Sequence, residues 1–353
     1  MNLNRCVAMI WKFILSRLVN NIGSVIIVGG FIFVFLFWYV QPDKTLANVQ
    51  KACIADWPRS MLEKETADGI EEADDISHVV TIAKMASQHN GTVLVSVVND
   101  AYLPFAYSWL CNTKHMNIHK SVLVITMDGI SKYKLNKDWP DVNVVKLNLD
   151  IPRGNQEYSS AGYLQIMIRR TEMLLELLKA DIEVLLLEFD YMWFSNPLPN
   201  LQKMKGVDFL INPVTSDEVV YNGGFLYMFP TERSKALWSR VTEMMRDLGK
   251  QLEQKSDKYQ VSEDDNDQIY FSTLVKEGFA EVKTQELPLH TYADGKWYDL
   301  PSWKRKHLPT VVISNNFVLG NQNKVKRAKK WNHWFLRDNC TCDFDLVRKT
   351  VHR

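Results

Sequence analysis

The chain has 353 residues, 46% of them hydrophobic, and its 42 basic and 41 acidic side chains leave a formal net charge of +1. That composition excludes a disordered or low-complexity chain and is sufficient for one large or two modest cores. The near balance of charge excludes a bulk electrostatic pull toward nucleic acid, so any charge recognition has to be local.

Residues 1–21 carry Arg5, Lys12 and Arg17, and Ile22 to Val40, IGSVIIVGGFIFVFLFWYV, follows without a charge. At about 1.5 Å per residue such a run reaches across a hydrocarbon core of about 30 Å. It ends in Phe37, Trp38 and Tyr39, which suit an interfacial aromatic belt and not a small-residue cleavage site, so an uncleaved signal-anchor is expected. The basic residues before it place the N-terminus in the cytosol and the rest of the chain in a lumenal or extracellular space, a single-pass type II arrangement. The sequons at Asn90 and Asn339 agree with that compartment. Cys53, Cys111, Cys340 and Cys342 then lie in an oxidising space, where two disulfides are expected. A bridge between Cys340 and Cys342 is disfavoured by their single-residue gap, so each pairs with Cys53 or Cys111.

From Gln41 to about Asn90 the chain is polar and acidic in patches, and reads as a stem. Short β-branched or leucine-rich runs follow at TVLVSVV (Thr92 to Val98), SVLVITM (Ser121 to Met127), NVVKLNL (Asn143 to Leu149) and EVLLLEF (Glu183 to Phe189), the pattern of strands buried on both faces. Between the last two, AGYLQIMIRRTEMLLELLKAD has helical spacing, with Tyr163, Met167, Arg170 and Leu174 on one stripe and Gln165, Arg169, Glu172 and Glu176 on the other. Arg169 therefore belongs in water, whereas Arg170 needs a buried anionic partner or a ligand. Further strands are expected at VDFLINP, GGFLYMF, AEVKTQELP and PTVVIS, and helices at about Thr231 to Glu253, at DNDQIYFSTLVKEG and at NQNKVKRAKKWNHWFL. Alternating strands and helices predict an α/β sheet in one domain of about 260 residues.

Glu188 and Asp190 come directly after the fourth apolar run, and in an open α/β sheet ligands gather beyond the carboxyl ends of the strands. Two carboxylates there, with Phe189 turned away, make a candidate site for a hard cation such as Mg²⁺ or Mn²⁺, which shares carboxylate oxygens with substrate phosphates. In KVKRAKK, Lys324 and Arg327 share a helix face and Gly320 permits close backbone approach, so that end could neutralise a diphosphate. Lys326, Lys329 and Lys330 belong in solvent, as do Glu263 to Asp265. No metal-ligand spacing relates His115, His119, His290, His307 and His333, and His290 stands as a substitute metal or acceptor contact.

The stretch FDYMWFSNPL resembles the D-x-D strand of the lumenal nucleotide-diphospho-sugar transferases, a family that includes plant wall xylosyl- and arabinosyltransferases. Glu188, Asp190, Trp193, Asn196, Pro197 and Leu198 stand in the motif positions, and the likeness extends over about Thr92 to Leu336. TVLVSVVNDAYLPFAYSWLCN resembles the first strand and helix, which implies donor base and ribose near Val98, Asn99 and Tyr102. YLQIMIRRTEMLLELL resembles the helix before the metal strand, with Arg170 facing the nucleotide-sugar site. YNGGFLYMFPT implies that Asn222, Gly223 and Gly224 line the sugar pocket, and DNDQIYF makes Asp267 and Gln268 contacts to the transferred sugar. SNNFVLGNQNKVKRAKKWNHW resembles the segment closing over the diphosphate, with Gly320, Lys324 and Arg327.

The resemblance implies a GT-A-like nucleotide-sugar-binding sheet flanked by helices and preceded by one transmembrane helix, in a Golgi or ER membrane. The division is a cytosolic tail 1–21, anchor 22–40, stem 41–90, glycosyltransferase domain 91–340 and C-terminal tail 341–353. It further implies a metal-assisted glycosyltransferase that moves a sugar from a nucleotide-diphosphate donor to a glycan or glycoprotein acceptor with retention of configuration, using Mn²⁺ or Mg²⁺ held by Asp190 and Glu188, with Asp267 as a further catalytic residue. Two departures are present: the first aspartate is Glu188, and no imidazole stands at Ser314, Asn315 or Asn316, where many relatives supply a third metal ligand. They leave a second expectation, a catalytically inactive, membrane-anchored nucleotide-sugar or glycan-binding protein of the same fold.

Overall fold

The computed structural model describes residues 44–53, 76–147, 154–214 and 220–351. The chain divides into two compact units, 1–44 and 45–353, of which the second holds the sheet and the clustered carboxylates. Among the described residues no helix is long and apolar enough to cross a membrane, and the expected anchor at 22–40 lies outside them.

In chain order the helices and strands are α1 (Lys44–Cys53), α2 (Ile76–Asn90), β1 (Val93–Val98), α3 (Leu103–Thr113), β2 (Val122–Thr126), α4 (Gly129–Asp138), β3 (Asn143–Lys146), α5 (Ala161–Lys179), β4 (Val184–Leu187), β5 (Met192–Trp193), α6 (Leu198–Leu201), β6 (Phe209–Pro213), β7 (Tyr221–Met228), α7 (Glu232–Leu252), α8 (Asp267–Lys276), β8 (Thr284–Glu286), β9 (Tyr292–Ala293), α9 (Ser302–Arg305), β10 (Val312–Ile313), α10 (Asn321–Lys330) and α11 (Phe344–Val351). The strands and helices expected from periodicity form, except that the closing helix expected over NQNKVKRAKKWNHWFL ends at Lys330. The long helices begin where a side chain caps them: Ser160 accepts from the Tyr163 N–H, Thr231 from Ser234 and Asn266 from Ile269.

Seven strands form one sheet in the order β3-β2-β1-β4-β7-β6-β8. β1 pairs parallel with β2 and β4, β2 with β3, and β6 with β8, while β7 runs antiparallel to β4 and β6. Strand residues alternate between two cores. Leu94, Val98, Leu185, Leu187 and Leu210 pack with α1, α3 and the C-terminal elements, and Val93, Val95, Val184, Leu186 and Phe209 pack with α2, α5, α7 and α8. Burial on both faces explains why these strands read as continuous apolar runs and not as alternating ones. Because β2 and β3 lie on one side of β1 and β4 on the other, a crevice opens between the carboxyl ends of β1 and β4.

Two segments differ from their expected roles. The acidic stretch placed in a stem contains α1 and α2, whose Leu46, Val49, Val79, Ala83 and Ala86 are buried in the two cores. The expected C-terminal tail contains α11, with Val347 buried, and is joined to the body by the disulfide Cys111–Cys342, while Cys53–Cys340 ties α1 to the residue just before it. Both segments are short amphipathic helices, which polarity averaged over a long window conceals.

Candidate active site

β4 ends at Leu187, and the Glu188 N–H continues its ladder by donating to the Gly224 carbonyl at 2.9 Å. Beyond it Phe189 and Asp190 form a turn in which the Tyr191 N–H donates to the Glu188 carbonyl at 3.4 Å, and Phe189 enters the core, where it lies 5.2 Å from the Trp109 ring. Gly224 leaves room for this: a Cβ there would stand 2.9 Å from Glu188 Oε2 and 3.2 Å from Asn222 Oδ1. Gly223 is similarly closed in by Gln268, whose Oε1 accepts from its N–H at 2.9 Å.

Arg170 reaches the cluster from α5 and is 4% exposed. Its guanidinium donates to Asp267 Oδ2 at 2.5 Å and to Glu188 Oε1 at 3.2 Å, while Arg169 on the opposite face pairs with Glu172 in water. The two arginines thus separate as the helical stripe requires. Burial opposes the Arg170 charge, but Asp267 and Glu188 outweigh it and hold the guanidinium firmly protonated. Glu188 is raised above the usual carboxylate range by burial and by the neighbouring Asp190 charge, against the pull of Arg170 and Lys324.

Lys324, in the first turn of α10, donates to Asp190 Oδ2 at 2.7 Å. Asp190 Oδ1 is buried and has no hydrogen-bond partner among the described residues, and the same holds for Asn222 Nδ2. The sequence-predicted residues Arg170, Glu188, Asp190, Asn222, Gly223, Gly224, Asp267, Gln268 and Lys324 therefore form one connected constellation beyond the carboxyl end of β4, in the middle of the sheet.

Three other expected site residues have partners within the protein. The Val98 side chain is buried in the core and its carbonyl accepts from the Met127 N–H. Asn99 is occupied locally: its Oδ1 accepts from the Tyr102 N–H and its amide donates to the Gly154 carbonyl at 2.9 Å. Arg327 holds the loop before α10, donating to Asn315 Oδ1 at 2.7 Å and to the Asn316 carbonyl at 2.5 Å, with its guanidinium 4.6 Å from the Tyr298 ring. This part-buried pairing braces the loop before α10 and uses only some of the five guanidinium donors. Gly320 precedes α10 at φ +81°, the left-handed region that suits glycine, and His290 is exposed.

Three tyrosines complete the surroundings: Tyr102, expected near the donor base and ribose, Tyr163 on the stripe of Arg170, and Tyr191, to which the motif reading gave no role. Burial first, and then the Asp190 and Glu188 charges, push the Tyr102 hydroxyl well above the ordinary phenol range. Tyr163 shares the same cause and the Glu188 neighbour, and it lies on the stripe that carries Arg170, a signal already present in the periodicity. Tyr191, buried beside Asp190, comes near Ser314 because β5 pairs with β10 in a second, three-stranded sheet.

The donor chemistry for a cation is all oxygen. Among the described residues no group of three or more histidine, cysteine, aspartate or glutamate side chains is placed to hold a metal ion. Asn315 Oδ1, a possible replacement for the missing imidazole, already accepts from Arg327. Glu188 and Asp190 remain, and two carboxylates completed by diphosphate oxygens are a usual donor set for Mg²⁺ and Mn²⁺. The residues present fit such an ion.

The model of the nucleotide-diphospho-sugar transferase family matches residues 117–328. The chain belongs to that family. This nucleotide-diphospho-sugar transferase is a glycosyltransferase that uses a nucleotide-sugar donor. It is 25% identical over 270 residues to UDP-D-xylose:L-fucose alpha-1,3-D-xylosyltransferase 1 of Arabidopsis thaliana, covering 71% of this chain and 72% of the relative. A beta-arabinofuranosyltransferase of the same plant is 23% identical over 122 residues, 35% of this chain and 23% of the relative. Among solved structures, the galactosyltransferase LgtC in complex with donor and acceptor sugar analogs aligns over 74% of this chain and 95% of its own, with a TM-score of 0.40 and 11% identity.

Proposed function

We propose that the transferase moves a sugar from a UDP-sugar to a hydroxyl of a glycan or glycoprotein with retention of configuration, from a lumenal site in a Golgi or ER membrane. The observation that carries this reading is the single cluster of Arg170, Glu188, Asp190, Asp267 and Lys324 where β4 meets β7. The two disulfides support an oxidising compartment. The plant relatives, named for a UDP-D-xylose donor and an alpha-1,3 linkage, support the donor and the retained configuration.

In this reading Glu188 and Asp190 would hold Mn²⁺ or Mg²⁺, which would supply Lewis-acid stabilisation of the leaving diphosphate. Lys324 places its ammonium on the diphosphate as negative charge develops there. Arg170 keeps Glu188 aimed at the cleft from a buried anchor on Asp267, so little reorganisation is required as the bond to the sugar breaks. Asn222, Gly223 and Gln268 border the sugar, with the Asn222 amide available to a hydroxyl. The partly buried Tyr102 and Tyr163 beside the carboxylates would limit water at the site, which would protect an oxocarbenium-like sugar from hydrolysis.

The test is release of nucleoside diphosphate by the full chain from a panel of nucleotide sugars with Mn²⁺ and glycan acceptors, beside Asp190→Asn. The expected outcome is turnover of at least one UDP-sugar and its loss in the variant. Equal turnover by both proteins refutes the site. Donor binding without turnover by either would favour the non-catalytic binding protein, for which Glu188 at the first motif position is the motivating residue.

A further inference from the structure

We infer that Lys324 is a displaceable counter-ion: it neutralises Asp190 while the site is empty and passes to the donor diphosphate only when a divalent cation takes its place on Asp190. Cation and nucleotide then enter as a coupled pair. The inference rests on the donor-site reading above and adds the exchange of charges that accompanies filling.

The starting point is how little of Asp190 is free. Its side chain is 2% exposed, Oδ2 carries the Lys324 ammonium at 2.7 Å, and Oδ1 is buried. A cation arriving alone must break this pair and leave an ammonium beside a divalent ion. A nucleotide arriving alone draws Lys324 to its phosphates and leaves a buried carboxylate unpaired next to them, and removal of one partner from a buried pair is strongly unfavourable. When both arrive, the cation takes Asp190 and the diphosphate takes Lys324, so every charge has a counter-charge.

Mobility is assigned to Lys324 and not to its surroundings. The Lys324 carbonyl accepts from Asn315 Nδ2 at 3.0 Å, which fixes its backbone, while the side chain remains 21% exposed on a flexible four-carbon stem. Arg170 cannot play this part: it is 4% exposed, and its guanidinium is held between Asp267 and Glu188. Among the described residues no group of three or more metal-ligating side chains stands ready for the cation, so beyond Glu188 and Asp190 it depends on diphosphate oxygens for further ligands. Coupling of this kind is reciprocal, each ligand strengthening the other by the same factor.

Chelation between the cation and the diphosphate also couples them, so the diagnostic is the sign of each effect in variants of the full chain. MnCl₂ alone is titrated by electron paramagnetic resonance of free Mn²⁺, and UDP and GDP are titrated by calorimetry with and without Mn²⁺. Lys324→Met is expected to bind Mn²⁺ alone about tenfold to a hundredfold more tightly than wild type, the equivalent of one charge-assisted hydrogen bond. It is expected to bind the nucleotide with Mn²⁺ more weakly, and Lys324→Arg to keep the weak wild-type affinity for Mn²⁺ alone. Asp190→Asn is an independent arm: it releases Lys324, so metal-free nucleotide binds more tightly than to wild type, a gain that shrinks in the Asp190→Asn, Lys324→Met double variant. The exchange is overturned if folded Lys324→Met binds Mn²⁺ no more tightly than wild type. It is equally overturned if Asp190→Asn gains no metal-free affinity, a result that stands even where the lysine variant fails to fold. A wild-type chain that binds neither Mn²⁺ nor either nucleotide, alone or together, overturns the donor-site reading and the exchange with it.

Discussion

Arg170→Met isolates the residue around which the site is assembled. In the wild type the guanidinium is 4% exposed and contacts an Asp267 side chain 5% exposed at 2.5 Å and a Glu188 side chain 36% exposed at 3.2 Å. The Glu188 contact is open enough for solvent to screen it and adds little to stability. The Asp267 contact is different, because methionine fills much of the same volume but leaves a buried carboxylate without a counter-charge. Breaking a buried pair in this way costs about 3–5 kcal/mol. The companion Arg170→Met, Asp267→Asn removes the orphaned charge, and replacement of both partners of a buried pair is often close to neutral, so the double variant should recover to within about 1–2 kcal/mol of wild type. Urea unfolding under non-reducing conditions, followed by tryptophan fluorescence, reads both variants. A single variant that loses less than about 1 kcal/mol, or a double variant no more stable than the single one, refutes the buried-pair reasoning, since surface pairs rarely exceed that value.

Gly224→Ala places a Cβ 2.9 Å from Glu188 Oε2 on a strand with no left-handed backbone, so the fold should persist while Mn²⁺ and nucleotide binding, read by calorimetry, falls about tenfold or more. His119 is driven down to about 4 by burial first, with Asp141 opposing and Lys114 adding to the shift, and its Nε2 lies 3.0 Å from the Thr113 hydroxyl. Because the folded value is depressed below the unfolded value of about 6.5, stability is complete above that pH and declines by about 3 kcal/mol as pH falls toward 4. His119→Gln should flatten that decline, and thermal melting across this window measures it. Replacing the Cys53–Cys340 pair, whose members are 287 residues apart, by serines should lower stability by about 2–5 kcal/mol, and an unchanged urea midpoint would count against it.

Much of the site was legible because its residues occupy positions that local geometry controls. Two carboxylates directly after an apolar strand are carried to its carboxyl end whatever packs around them, and Arg170 on the stripe of Tyr163 had to be buried. Helical spacing places Arg327 beside Lys324 without saying what the preceding loop offers it. Asn315 and Asn316 fold back onto it, and that contact spans sequence neighbours whose relation depends on φ +81° at Gly320. The buried helices α1 and α11 were hidden because their apolar surface is small and finds its partners across the chain, through Cys340 and Cys111.

The sequence by itself determined the order of strands and helices, the placing of Glu188 and Asp190 at a strand end, the pairing of Cys340 and Cys342 with distant cysteines, and the family. These depend on side-chain period, on geometry over a few residues and on ordered motifs, all of which are properties of the chain read locally. Only the tertiary structure decided which cation meets which carboxylate. Arg170 is separated by 97 residues from Asp267, and Lys324 by 134 from Asp190. Charge pairing at such separations is set by where β7, α8 and α10 come to rest against β4, and no local propensity encodes that distance.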